Sequence, residues 1–445
     1  MLRPGSLRPL VALSAGLAFA ASVSAQTPRL SAAESRMRDW VRSHHAEQTR
    51  YLARVVNIPS GTMNFAGVRR VGDVFRKSLD SLGFTTRWVA QDSVHRAGHL
   101  VAVRRGRPGT ARLLLLGHLD TVFEGDEFGW RREGNDSIAH GAGAHDMKGG
   151  NVILLYALRA MAAAGELERA NVTVVLTGDE EEAGDPHSVS RRDLVDAGRA
   201  ADVALSFEGG GGKTAVIARR SAGTWRLEVT GRQGHSAGVF RDSAGYGAIY
   251  EMARILDGFR TRLVGPPTLT FNPGIVVGGT EATLDSAGFR GTAAGKTNII
   301  APRAVVQGDL RTLSDAERES ARRTMREIVS RSLPGTRATI TFDDGYPSMA
   351  PTPGNTRILR HYSAASQALG YGAVGPYDPI KRGAGDISFV APLVPGALDG
   401  LGAAGGGDHS PEEVVNLNSL VPQTERAAVL MSRLAREKGS VPRPT

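Results

Sequence analysis

The chain contains no cysteine among its 445 residues. Disulfide scaffolds and thiolate metal sites are thereby excluded. Any metal must be held by His, Asp and Glu, the donors of catalytic rather than Cys-rich structural zinc sites. Beyond the N-terminal segment no apolar run is long enough to cross a bilayer. The formal net charge is +9, yet the arginines form no run and no one-faced stripe. Binding to nucleic acid concentrates such charge, so a solvated basic surface, favouring anionic substrates at long range, is the better reading.

What is present begins with a targeting signal. Arg3 and Arg8 precede an apolar stretch from Leu10 to Val23, and Val23-Ser24-Ala25 supplies small residues at a cleavage position. Residues 1–25 read as a signal peptide, which places the mature chain in the periplasm or outside the cell, with no membrane attachment after cleavage. The export compartment permits disulfides, and this chain does without them.

The rest alternates between helical and strand-like patterns. One helix is expected from Ala32 to Ala53 and a second from Val68 to Leu82, with Gly83 suited to the C-terminal cap. Strands follow at Thr85 to Val89, Leu100 to Arg104 and Arg112 to Gly117, the last almost continuously apolar, as in strands buried on both faces. Next come a helix from Gly149 to Ala164, a strand from Val172 to Thr177, a short helix from Arg191 to Gly198 and a strand from Val203 to Phe207. This rhythm predicts an α/β core with parallel strands, whose ligands collect at the strands' carboxyl ends.

Near Arg219 the rhythm changes. A strand (Thr224 to Thr230), a helix (Ala244 to Phe259), two strands (Leu269 to Val277, Ala304 to Leu310), a helix (Asp315 to Ser332) and a strand (Ala338 to Phe342) give the order β-α-β-β-α-β, a ferredoxin-like arrangement. After Asp344 the first rhythm resumes, with helices from Thr356 to Leu369 and Leu417 to Glu437. The expected organisation is a core split between residues 26–218 and 345–445, with residues 219–344 inserted. The glycine runs Gly209 to Gly212 and Gly405 to Gly407 adjoin carboxylate or imidazole groups and read as tight loops beside a site.

The chemistry starts at His118-Leu119-Asp120, directly after Leu113 to Leu116. Residues two apart on a strand share a side, so one can bind a metal while the other orients or tunes a ligand. Asp146, Glu181, Glu208 and His409 follow at strand ends, helix starts or glycine loops. Two divalent ions sharing one carboxylate, with two further ligands each, require five donors, the number found here. Glu180 is then a spare carboxylate, able to take a proton from an attacking water and return it to a leaving amine.

Gly117-His118-Leu119-Asp120-Thr121-Val122, Asp146-Met147-Lys148-Gly149-Gly150, Gly178-Asp179-Glu180-Glu181, Ser206-Phe207-Glu208 and Gly406-Gly407-Asp408-His409-Ser410 resemble, in order, the motifs of a family. It is that of the di-zinc exopeptidases and deacylases, which includes bacterial glutamate carboxypeptidase, acetylornithine deacetylase, succinyl-diaminopimelate desuccinylase and the aminoacylases. The resemblance implies a mixed sheet flanked by helices, with an inserted ferredoxin-like α+β lid and dimerisation domain. It implies two zinc ions, cobalt or manganese being alternatives. Asp146 bridges them, His118 and Glu208 hold one, and Glu181 and His409 the other. Glu180 is the general base, Asp120 supports the histidine, and the Asp146–Met147 bond is cis.

In the inserted segment, Gly231-Arg232-Gln233-Gly234-His235-Ser236 resembles the element whose histidine reaches a partner subunit's active site. Asn298 and Arg311 resemble residues that hold the substrate carboxylate. The acidic loop offers two adjacent pairs, Glu180/Glu181 and Glu181/Glu182, of which the preceding Asp179 favours the first. No arginine stands at Asp344-Gly345-Tyr346-Pro347, where glutamate carboxypeptidase has one, so strict glutamate specificity is not implied. The expected activity is hydrolysis of a peptide or amide bond beside a free carboxylate, by a homodimer. A deacylase of N-acyl amino acids is the alternative. A binding protein without chemistry would have lost Glu180 or a ligand, and none is missing.

Overall fold

A computed structural model of the chain describes residues 29–125, 129–132, 134 and 137–439. The expected signal peptide lies outside them. Helices α1 (Ala32–Ser43), α2 (His45–Val56) and α3 (Phe65–Ser81) precede strands β1 (Thr85–Gln91), β2 (Arg96–Arg104) and β3 (Arg112–His118). Then come α4 (Lys148–Ala163), β4 (Asn171–Thr177), α5 (Arg192–Arg199) and β5 (Val203–Ser206). The second half contains β6 (Ala222–Gly231), α6 (Ala248–Arg262), β7 (Thr270–Gly279), β8 (Arg303–Arg311), α7 (Asp315–Val329), β9 (Thr336–Tyr346), α8 (Pro353–Ala368), β10 (Gly396–Leu398) and α9 (Leu420–Leu434).

The main sheet has the order β1-β2-β4-β3-β5-β10. It is mixed: β4, β3, β5 and β10 run parallel, whereas β1 and β2 join antiparallel at one edge. In β3 the leucines divide by parity. Leu113 and Leu115 enter the core formed with α4 and α9, and Leu114 and Leu116 face a second core with Leu194, Ile387 and Val390. This is the period-two signature of a strand covered on both sides. Helix α4 is apolar nearly all round, because it packs between the sheet and helices α1 and α9. Gly150 in its first turn abuts β5: a Cβ there would lie 1.7 Å from the Phe207 carbonyl oxygen. Only glycine lets the start of α4, and Asp146 just before it, approach Glu208 so closely.

Residues of β6 to β9 form a second, antiparallel sheet in the order β7-β8-β6-β9, with α6 and α7 packed on it. Trp225, Leu227, Phe259 and Met325 belong to a separate buried cluster there. The chain enters and leaves this unit side by side, since Arg219 and Met349 exchange backbone hydrogen bonds of 2.9 and 3.0 Å.

Four details depart from the sequence expectations. The single helix from Ala32 to Ala53 is two helices, because the chain turns at His44, whose ring stacks on Trp40 at 4.0 Å. The last helix starts at Leu420, after a separate 3-10 turn at Leu417–Ser419. The strand rhythm alone suggests parallel core strands; β1 and β2 make the sheet mixed, as the resemblance implies. A small sheet of Arg131–Arg132, Ile138–His140, Gly405–Gly406 and Val414–Asn416 was not anticipated; it ties the His409 loop to the segment before Asp146.

Candidate active site

Three neighbouring parallel strands deliver most of the site. His118 is the last residue of β3 and pairs in register with Thr177 of β4, while Leu116 pairs with Ser206 of β5. Glu180 and Glu181 follow β4, Glu208 follows β5, and Asp146 enters through a cis bond to Met147 at the start of α4. His409 comes from the loop before Val414, its backbone in the left-handed region at φ 60°.

These side chains converge. His118 Nε2 lies 3.2 Å from Asp146 Oδ1 and 3.8 Å from Glu208 Oε1. His409 Nε2 lies 3.3 Å from Asp146 Oδ2 and 3.2 Å from Glu181 Oε2. Asp146 thus turns one oxygen toward each group. Donor atoms of His118, Glu180 and Glu208 lie within 4.8 Å of one another, as do those of His118, Asp146 and Glu181. The second grouping brings Glu181 near His118 as well, although its carboxylate sits 3.2 Å from His409 Nε2. Glu182 points elsewhere, to Arg96 at 3.0 Å.

Asp120 does more than orient His118. The His118 Nδ1 is 3.0 Å from the Asp120 carbonyl and 3.4 Å from its carboxylate. That carboxylate also accepts the backbone N–H groups of Glu180 and Glu181, each at 3.1 Å, and the Thr62 hydroxyl at 2.7 Å. It therefore fixes the acidic loop as well as the imidazole.

Several supporting residues were missed in the sequence. Glu413 accepts the N–H groups of Gly143, His145 and Asp146 at 2.9 to 3.1 Å, holding the loop that carries Asp146. Lys148 is fully buried and donates to the Ile58 carbonyl at 3.0 Å; burial brings its ammonium down to about 7. Arg191, expected only as a helix start, lies beneath the acidic loop. It donates to Asp179 and Asp386 at 2.7 Å and to the Tyr346 hydroxyl at 2.7 Å. Tyr346, the last residue of β9, donates in turn to the Glu180 carbonyl at 2.9 Å. Each partner set is assembled from distant segments, so no local pattern announces it. Glu412-Glu413 looks like any solvated acidic pair.

Burial, then the charge of Asp146, pushes the Glu208 carboxyl up to about 8. Burial likewise raises Glu181, and raises Glu180 well above the usual carboxylate range, with neighbouring acids adding to the effect. For Asp146 burial acts in the same sense, but hydrogen bonds from His118 and His409 hold its carboxyl well below that range. Hydrogen bonds to Asp146 and Glu181 push His409 up to about 11. Buried acids crowded in this way stay ionised only beside compensating positive charge, so the donor set fits divalent cations.

A cavity of about 300 Å³ opens onto Asp146, Glu180, Glu181, Glu208 and His409. His235, Asn298 and Arg311 do not line it. His235 is exposed on a short ribbon opposite Ile299, its Nδ1 accepting from the Ala237 N–H. Asn298 is also exposed, and the Arg311 guanidinium pairs with Asp309 at 3.0 Å. All three stand on or beside the second sheet, not at the strand ends that carry the His, Asp and Glu cluster.

Comparison with known proteins agrees with this architecture. The chain is 25% identical over 401 residues to carboxypeptidase G2 of Pseudomonas sp. (strain RS-16), covering 87% of this chain and 89% of that one. It is 26% identical over 375 residues to succinyl-diaminopimelate desuccinylase of Acidiphilium cryptum (strain JF-5), covering 82% and 92%. The aminopeptidase PepT of Bacillus cereus ATCC 10987 superposes with a TM-score of 0.68 at 16% identity, covering 88% of this chain and 99% of that one. Residues 114–434 match the family described as Peptidase family M20/M25/M40. With this match over most of its length, the chain belongs to the M20/M25/M40 peptidase family and is a metal-dependent hydrolase of peptide or amide bonds.

Proposed function

We propose that the chain cleaves a peptide or amide bond beside a free carboxylate, using two divalent ions, with zinc favoured by the His and carboxylate donors. The observation that carries this reading is the division of Asp146 between two donor groups, beside a Glu180 carboxyl on the cavity wall. Asp146 would bridge, His118 and Glu208 would hold one ion, and Glu181 and His409 the other. When bound, the ions polarise the scissile carbonyl and make a water more acidic. Glu180 takes the proton of the attacking water and delivers it to the leaving amine. Asp120 keeps both His118 and the Glu180–Glu181 backbone in place.

The relatives support two substrate classes, peptides ending in a free carboxylate and N-acyl amino acids. The zinc-loaded protein is expected to hydrolyse members of a panel of dipeptides and N-acyl amino acids, and chelation is expected to abolish this. No hydrolysis of any compound, with two metals bound, would sink the reading; the faster class decides between peptidase and deacylase.

Arg311 and Asn298 are assigned to the substrate carboxylate and His235 to a partner copy's site, which requires a dimer. Exposed Phe240, Ile249, Tyr250 and Val276, on or near α6 and the edge strand β7, supply an apolar surface suited to that contact. If His235 acts in the partner's site, mixing His235→Ala and Glu180→Gln chains restores activity that neither has alone. About a quarter of wild-type activity is expected, since random reassortment makes half the dimers mixed, each with one complete site. No recovery after proven subunit exchange would place His235 elsewhere.

A further inference from the structure

His145 stands next to three members of the cluster at once. It precedes Asp146 in the chain and is buried, at 6% exposure. Its ring lies between Gly209, the residue after Glu208, and Gly405, at the root of the loop that carries His409. Neither neighbour could carry a side chain there. A Cβ at Gly209 would lie 2.3 Å from the ring's Cε1, and one at Gly405 2.7 Å from its Cδ2. The ring's Nδ1 lies 2.5 Å from Oδ1 of Asp408, the residue before His409. An ionised carboxylate only accepts, so Nδ1 carries the hydrogen.

The His409 loop needs such an anchor. The His409 backbone is left-handed and its side chain is 58% exposed. A residue other than glycine keeps that conformation only where its surroundings fix it. Within the loop, the Ser410 N–H and hydroxyl both donate to the Gly407 carbonyl, at 3.1 and 2.7 Å. These bonds shape the turn without tying it to Asp146. Glu413 ties the far end of the loop to the Asp146 segment. The tie beside His409 itself is Asp408, bonded to a ring 263 residues away in sequence. Glu181 is held separately, through its N–H on Asp120.

We propose that the His145–Asp408 pair is a clamp that positions His409 against Asp146, and so sets the affinity for the ion that Glu181 and His409 would hold. This rests on the two-ion reading above. His145 is a positioning residue: it acts through Asp408 on a donor and not on the substrate. Loss of a group that orients a metal ligand weakens metal binding about 10–100-fold.

The test titrates the metal-free chain with zinc against a competing chelator and follows amide exchange over residues 405–410. His145→Ala and Asp408→Ala should each weaken one zinc site about 10–100-fold and leave the other nearly unchanged. Asp408 is exposed, so its removal spares the fold. The double variant should lose no more than either single one, because the two side chains make one link. His145→Asn, whose amide nitrogen falls near the place of Nδ1, should recover most of the affinity. Both alanine variants should also speed exchange over residues 405–410 before any metal is added.

Unchanged affinity at both sites overturns the proposal. Combined with a raised KM, it would make His145 a substrate contact, since the residue lines a cavity of about 210 Å³ beside the first. Equal weakening of both sites, or additive losses in the double variant, overturns it as well. A wild type that binds fewer than two zinc ions sinks the two-ion reading instead. Exchange then decides the clamp alone: faster exchange in both variants supports it, and unchanged exchange overturns it.

Discussion

Replacing Glu180 with Gln is expected to lower kcat about 10²–10⁴-fold, the usual contribution of one well-placed general base, with KM and metal content nearly unchanged. Gln is isosteric, so the loop should survive the change. The Glu180 N–H still reaches Asp120 and its carbonyl still accepts from Tyr346, because both contacts are made by the backbone. Only the proton-accepting oxygen is lost. Steady-state kinetics with metal analysis on the same sample decide the matter. Near-normal kcat would transfer the role to another group. Loss of one metal would make Glu180 a ligand, as its closeness to His118 and Glu208 allows.

The second large effect is structural. Arg191→Ala is expected to destabilise the fold by about 3–5 kcal/mol, the cost of breaking a buried ion pair from one side. Arg191 is 1% exposed and donates to two buried carboxylates, Asp179 and Asp386, which the substitution would strand without a counter-charge. Thr177 donates to the other oxygen of Asp386 at 2.6 Å, so the disturbance reaches the end of β4 itself. Thermal or denaturant unfolding measures the loss, and an unchanged stability would show that water or rearrangement compensates. Activity should fall with it, because Asp179, Arg191 and Tyr346 all bear on the backbone beside Glu180.

The two variants also separate what the sequence makes legible from what it hides. That the Glu180 loop and the side chains of His118, Asp146, Glu181, Glu208 and His409 cluster is readable, because each ends an apolar run or sits in a glycine-flanked motif. Sheet geometry then requires the ends of adjacent parallel strands to meet. The β-α-β-β-α-β order of the second sheet is readable for a similar reason, since strand and helix periodicities differ. Arg191 is not readable: its partners lie 12, 155 and 195 residues away, and a local pattern holds no information about them. Glu413 is hidden in the same way, 267 residues from Asp146. Strand β10 is too short to show any alternation; its pairing with β5 alone makes it a strand. The break at His44 has neither glycine nor proline to mark it and follows from packing.

The split core has a consequence for how the protein is made. Donors from His118 to Glu208 are synthesised before the second sheet, whereas β10, His409, Glu413 and the fully buried Ala427 to Leu430 of α9 come after it. A ribosome that has not yet passed residue 396 carries β5 with one edge unpaired and α4 without its cover. The second sheet, with its own buried cluster, can close in that interval. His409 and Glu413 can therefore reach Asp146 only after the second sheet has been made, so the proposed metal centre is completed after that sheet rather than before it.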